Sequence, residues 1–402
     1  EHYKINSFMK DETYPEFKHA RAINSRTDEF KCMCGPIFKL IEKEVFKGKW
    51  FIKKIPVRDR PKYIYDLLFR AGNTYMATDY TAFESHFTKE LMMTCEMKLY
   101  RYMSQYVAGG DEWYTHVQEA MTGENCCQFK NFICKVPATR MSGEMCTSLG
   151  NGFSNLMILL FVLKKKGCTN PIGVVEGDDG LFTYDGPDPT VEDFARYGMT
   201  MKEVEIHQDI ETASFCGLVF DKFDLLNVTD PIAELVSFGW TSRKYAKSKP
   251  SRKMELLRSK SLSLAYQYPG CPILSALAQY GMRITQGHRA YSKSYDNMWI
   301  KEQMDEFIVE SSKHDFVLFH EVPINTRLLV EKKYNIPLSV QYAIEDYLNA
   351  KNDLSPIKCP VAELLFPRDW FTYFSYYCKE LPIDINVELM DMGFTVYEGK
   401  LV

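Results

Sequence analysis

Apolar positions in the middle of the chain fall in short β-prone runs separated by polar turns, and towards its end they take up helical spacing. Thr74-Tyr75-Met76-Ala77-Thr78 is short and uncharged, which predicts a buried strand delivering Asp79 at its end. Ile172-Gly173-Val174-Val175 and Leu181-Phe182-Thr183-Tyr184 flank Gly177-Asp178-Asp179-Gly180. Two apolar runs around a Gly/Asp turn predict a β-hairpin with the acids at its tip. After Ser142-Gly143 a helix is expected to run through Leu156 to Leu163 and close at Lys164-Lys165-Lys166-Gly167, where the cations suit its dipole and the glycine its cap. Thr190-Val191-Glu192-Asp193 has the form of a capping box opening a helix that stops near Gly198. Strand and helix signals alternate from about residue 74 to 220, and from about 229 the pattern is mainly helical, as in Met254 to Leu264 and Val340 to Leu348. The chain therefore reads as an α+β region followed by a helical one, without internal repeats.

The acids sit where these strands end or turn. Magnesium prefers carboxylate, phosphate and water oxygens, so acidic side chains on adjoining strands can hold a pair of ions roughly 4 Å apart. Asp79 and Asp178 are the candidates for that pair. Gly and Asp are common turn residues, so Gly177-Asp178-Asp179 means little alone. Its weight comes from Asp79 with Glu84 five residues on, and from the Ser142-Gly143 loop that precedes it. Gly143 gives that loop its freedom, and Thr147 and Asn151, four apart, share one face of the helix that follows. A hydroxyl and an amide on one face can read a ribose 2′-hydroxyl, although helix capping is the plainer alternative.

Charge adds candidate anion sites. Lys10, Lys18, Arg21 and Arg26 near the amino end could cradle a triphosphate, since several fixed cations are needed along its length; a solvated basic strand face is the alternative. The 402 residues carry a net charge of −4, yet residues 241–260 hold eight Lys and Arg against one acid, Glu255, and residues 1–70 hold sixteen against ten. Two basic regions flanking an acidic site suit a phosphate-lined channel, with Arg243, Lys244, Lys247, Lys249, Arg252 and Lys253 as candidate RNA contacts. A hydrophobic content of 46% supports more than one core. The longest apolar run, Leu156 to Leu163, is too short to span a bilayer. Twelve cysteines without a CxxC pair point to reduced thiols rather than a zinc site, and His19, His86 and His207 read as structural or exposed.

In order and spelling these segments resemble a viral RNA-dependent RNA polymerase, closest to the tombusvirus-like and nodavirus-like enzymes of positive-strand RNA viruses. Lys10-Asp11-Glu12 through Arg21-Ala22-Ile23-Asn24-Ser25-Arg26 is similar to that family's basic fingertip motif. Asp79 to His86 resembles its first catalytic motif, Ser142 to Asn151 its second, and Gly177-Asp178-Asp179 its third. Tyr197 to Lys202 resembles the motif whose lysine is proposed to protonate the leaving pyrophosphate, and Phe215-Cys216-Gly217-Leu218 the hairpin that grips the nascent strand's end. The resemblance implies that Asp79 and Asp178 bind two Mg2+ ions, or Mn2+, with Asp179 assisting. It implies that Arg21 and Arg26 meet the triphosphate, that Asn151 with Ser142 or Thr147 senses the ribose, and that Cys216 and Gly217 contact RNA.

It further implies a right-hand polymerase fold. The expected parts are fingers over 1–73, palm over 74–92, a fingers insertion over 93–135, palm again over 136–228, and a helical thumb over 229–402. Glu84 departs from the aspartate usual at its position; the expectation is that it still approaches Asn151 with a slight backbone adjustment. The chain starts at Glu1 a few residues before the fingertip motif, which suggests a core excised from a larger replicase. RNA template, nascent RNA and ribonucleoside triphosphates are the implied partners, together with other replicase segments. The host cytoplasm, at membrane-associated replication sites, is the implied location. A reverse transcriptase or DNA polymerase with the same metal chemistry, and a catalytically silent RNA-binding scaffold, are the two alternatives.

Overall fold

A computed structural model describes residues 4–10, 19–241, 243–291, 293, 298–311, 318–371, 396–397 and 400–401. These form two compact units, one comprising residues up to Lys10 and His19–Gly217, the other running from Leu218 onward. Helices and antiparallel strands share the first unit, and helices dominate the second.

Strands β1 (Lys4–Met9), β2 (Ala22–Arg26), β4 (Glu124–Gln128) and β5 (Ile133–Pro137) make one sheet of the first unit, in the order β2-β1-β4-β5. A second sheet, antiparallel throughout, combines β3 (Tyr75–Tyr80), β6 (Thr169–Glu176), β7 (Asp179–Asp185) and β8 (Met201–His207) in the order β6-β7-β3-β8. Around them lie α1 (Asp28–Val45), α2 (Arg60–Leu68), α3 (Lys89–Thr94), α4 (Glu96–Ser104), α5 (Gly110–Thr122), α6 (Thr147–Lys166) and α7 (Val191–Ala195). The expected strand extends through Tyr80, so Asp79 lies inside β3 rather than past its end, and a register shift follows it.

The long helix α6 covers β6 and β7, burying Leu156, Leu159 and Val162 with Met76 and Phe182 of the sheet. Three lysines occupy its last turn, and Gly167 caps it by donating to the Leu163 and Lys164 carbonyls. The capping box at Thr190 and Asp193 opens α7 as the sequence pattern predicts.

The second unit contains α8 (Pro231–Ser237), α9 (Pro250–Gln267), α10 (Leu274–Ile284), α11 (Met298–Ser311), α12 (Ile324–Tyr334), α13 (Leu338–Ala350) and α14 (Pro360–Glu363), with a two-residue pairing of Val396–Tyr397 and Lys400–Leu401. Leu264, Leu277, Val330, Ile344 and Leu348 belong to its core. Arg327 grips Glu345 with two parallel hydrogen bonds of 3.0 and 2.9 Å, and the same carboxylate accepts the Ile273 N–H at 2.8 Å. Among the described residues no helix is long and apolar enough to cross a membrane. The eleven described cysteines are free thiols.

Candidate active site

The hairpin between β6 and β7 turns on two residues, because Glu176 pairs with Asp179 and leaves Gly177 and Asp178 at the tip. Gly177 has φ of 62°, a left-handed geometry that suits glycine at the first central position of such a turn. On β3, Thr78 pairs with Gly180 of β7, so Asp79 and Asp179 are the next residues out on their strands. On the other side of β3, Asp79 pairs with Glu203 of β8. The neighbouring Lys202 brings its Nζ within 2.7 Å of Asp79 Oδ2. One edge of one sheet therefore carries Asp79, Asp178, Asp179 and Lys202.

Burial and mutual repulsion act on the two acids of the turn, Asp178 and Asp179. Asp178 is raised above the ordinary carboxyl range by burial, with the charges of Glu84 and Asp79 adding to it. Asp179 is pushed up to about 6 by burial and then by the Asp178 charge. Cys216 lies against the same turn, its Sγ 3.9 Å from Glu176 Oε2, and burial with the Asp179 and Glu176 charges drives its thiol well up. Among the described residues no three His, Cys, Asp or Glu side chains converge into a group that could hold a metal ion. The Asp79 carboxylate is engaged by the Lys202 ammonium. The donor set fits a hard divalent cation: it is made of carboxylate oxygens, and at Asp178 and Asp179 burial and neighbouring negative charge oppose ionisation, two penalties a cation would relieve.

Asn151 projects from the first turns of α6 and donates from Nδ2 to Glu84 Oε1 at 3.1 Å. Glu84 reaches it from a 3-10 turn, Phe83–His86, entered through Ala82 at φ of 50°. The hydroxyls expected to join Asn151 are engaged with the backbone. Ser142 donates to the Ala22 carbonyl at 2.8 Å and Thr147 to the Glu144 carbonyl at 2.8 Å, while Gly143 takes φ of 112°. Two cations that sequence reasoning missed approach the same elements. Lys53 donates to the Ser148 hydroxyl of α6, and Arg60 pairs with Glu176 at 2.7 Å, ahead of the turn. Phe51 bridges to Val175, which holds that segment against β6.

The expected triphosphate cradle is only partly exposed. Lys10 and Arg21 lie at the surface, and Lys18 falls outside the described residues. Arg26 is a correction: it is 2% exposed, pairs with Glu144 at 2.6 Å and donates to Asn125 Oδ1 at 2.8 Å. A guanidinium sealed against a carboxylate in the interior fixes the fold and does not present itself to a triphosphate. In the second unit Lys244, Lys247, Lys249 and Lys253 are exposed, whereas Arg252 pairs with Glu255 at 2.6 Å and stacks on Tyr291. The backbone of Arg243 lies in a short 3-10 turn, and Gly217 at φ of 73° follows Cys216 at φ of 52° in a tight turn.

Carboxylates at one edge of an antiparallel sheet, backed by a helix whose Asn151 amide meets Glu84, suit nucleotidyl-transfer chemistry. Residues 57–268, just over half of the chain, match the family of viral RNA-dependent RNA polymerases. The chain belongs to that family, whose members generally use divalent metal ions, and is an RNA-directed RNA polymerase, a nucleotidyltransferase of viral replication that acts on ribonucleoside triphosphates under an RNA template. No curated protein matches the chain.

Proposed function

We propose that this polymerase extends an RNA 3′-hydroxyl by a two-metal mechanism centred on Asp79 and Asp178, with Asp179 assisting. The antiparallel sheet with α6 and α7 is the palm, the segments before and between its strands are fingers, and the helices from about 229 are the thumb. The observation that carries the reading is that Asp79 and the Asp178-Asp179 turn occupy one sheet edge inside the family-matched residues. Two Mg2+ ions, with Mn2+ as a substitute, would supply charge stabilisation at the attacking and leaving oxygens. Lys202, whose ammonium lies beside Asp79, would give a proton to the departing pyrophosphate. Lys10 and Arg21 offer surface charge for the triphosphate, and the exposed lysines at 244, 247, 249 and 253 offer it for the RNA backbone. Replication sites on host membranes, reached through other replicase segments, are the proposed setting.

The test is incorporation of labelled ribonucleotides on an RNA template with Mg2+, compared with Asp178→Ala. Template-directed synthesis that the substitution removes supports the proposal. Incorporation of deoxynucleotides alone would favour a reverse transcriptase, and tight RNA binding without synthesis a silent scaffold.

The Asn151–Glu84 hydrogen bond leads to a second expectation. A site that hydrogen-bonds a hydroxyl rejects the analogue lacking it because its own polar groups are then left unpaired. Glu84→Ala frees Asn151 and should lower the preference for ribonucleotides over deoxyribonucleotides on the order of ten-fold. Glu84→Asp, shorter by one methylene, should shift the same ratio by less. Unchanged ratios in both variants would remove Glu84 from sugar selection.

A further inference from the structure

Asn155 stands one helical turn beyond Asn151, immediately before the apolar run of α6, and is fully buried. Its Nδ2 lies 3.2, 2.9 and 3.1 Å from the carbonyl oxygens of Gly177, Asp178 and Asp179. An amide has two N–H donors, so three consecutive acceptors share them, and Oδ1 has no hydrogen-bond partner among the described residues. Hairpin tips are ordinarily left to solvent and move. This one is tied to a rigid helix, and one turn away the same helix holds Glu84 through Asn151. The fit is close, since a Cβ built at Gly180 would stand 2.7 Å from Leu159 Cδ1 and 3.6 Å from Asn155 Nδ2.

We infer that Asn155 is a positioning residue for the reaction: by gripping the backbone of the Gly177-Asp178-Asp179 turn it sets where those carboxylates stand relative to Asp79 and to the Asn151–Glu84 pair. It touches no reacting atom and acts through the turn. The inference rests on the proposed assignment of Asp79 and Asp178 as the metal-holding acids. A buried asparagine that only satisfied three carbonyls would matter for stability alone, whereas a positioning residue also governs metal affinity and the chemical step. Groups that orient metal ligands from behind are worth about 10–100-fold in affinity or activity when removed.

Asn155→Leu keeps the branched four-atom skeleton without a donor, and Asn155→Ser keeps one donor on a shorter arm. Both are compared with wild type by thermal unfolding, by steady-state kinetics on an RNA template, and by electron paramagnetic resonance titration of Mn2+ into the protein free of RNA and nucleotide. Asn155→Leu should lose about 10–100-fold in kcat with the ribonucleotide KM within about two-fold, and should bind Mn2+ more weakly by a similar factor. Asn155→Ser should fall between it and wild type, and carries the test by itself if the leucine variant does not fold. Wild-type kcat and Mn2+ affinity in a folded variant, even one with a lowered unfolding temperature, overturn the inference and leave the site assignment standing, provided that Asp178→Ala is inactive. Activity in Asp178→Ala overturns the assignment as well.

Discussion

Asp178→Asn should abolish RNA synthesis and at the same time stabilise the metal-free protein. The amide matches the carboxylate in shape, so α6, β6 and β7 keep their packing, but it cannot hold a cation as the charge does. Several kcal/mol of transition-state stabilisation attributed to bound metal corresponds to a loss on the order of 10³-fold in kcat. The stability gain follows from the direction in which burial moves these acids. Asp178 and Asp179 are both raised, hence their charged forms are disfavoured in the folded state. For Asp179 the move from an ordinary 3.8 to about 6 corresponds to about 3 kcal/mol. An acid whose folded pKa is raised costs stability above that pKa and costs none below its unfolded value. Unfolding in a chelator should therefore show Asp179→Asn more stable than wild type at pH 7, with the gap closing as pH falls through 6 towards 4. Adding Mg2+ should raise the unfolding temperature of wild type and leave Asp178→Asn unmoved. A wild-type protein indifferent to Mg2+, or an Asp178→Asn variant that polymerises, would remove these acids from the metal site.

The parts of this site that were legible in the sequence are those fixed by local rules. Two apolar runs around Gly177-Asp178 specify a hairpin whatever lies nearby, and the lysine-rich end with Gly167 specifies where α6 stops. The Glu84–Asn151 contact was expected because motif spacing stands in for a meeting of residues 67 apart in the chain. What escaped depends on partners the local sequence does not name. Arg26 is the one buried residue of a short, otherwise half-buried strand, and the carboxylate that seals it, Glu144, lies 118 residues away. Ser142 gives its hydroxyl to the Ala22 carbonyl because the Ser-Gly loop docks on β2, whereas Thr147 turns back onto the Glu144 carbonyl three residues before it. Lys53 and Arg60 sit in a segment whose bridge to β6 has no signature in either strand. Asn155 did leave a signal: an amide within an apolar helix must find a partner or bear the cost of burial, and its position four residues after Asn151 puts it on the same face.

The largest effect on folding is expected beneath the start of α6. There Arg140 pairs with Glu96, both side chains wholly buried, and Glu96 also accepts from Tyr100 at 3.0 Å. Glu144 lies between Arg140, at 3.8 Å, and Arg26, so the charges form an alternating series that ends on β2. The Ser142-Gly143 loop is carried between Arg140 and Glu144, so this series is expected to hold it together with the loop's hydrogen bonds to Ala22 and Asn24 of β2. Arg140→Met leaves Glu96 buried without its counter-charge and should destabilise the first unit by about 3–5 kcal/mol, read as an unfolding temperature lower by about 10 °C or more. Glu96→Leu alone should cost a similar amount, by stranding the guanidinium. Glu96 Oε1 and Arg140 Nε have no hydrogen-bond partner among the described residues, so the pair is not fully compensated for its loss of water. Glu96→Leu with Arg140→Met together should therefore recover most of the stability, as apolar replacements of whole buried pairs do. Gly150→Ala tests the same place from above, because its Cβ would stand 2.5 Å from both Arg140 Nη2 and Glu96 Oε2 and would force the pair apart. Strictly additive losses in the double variant would mean that the two side chains act independently, and the series would then not be what carries the loop.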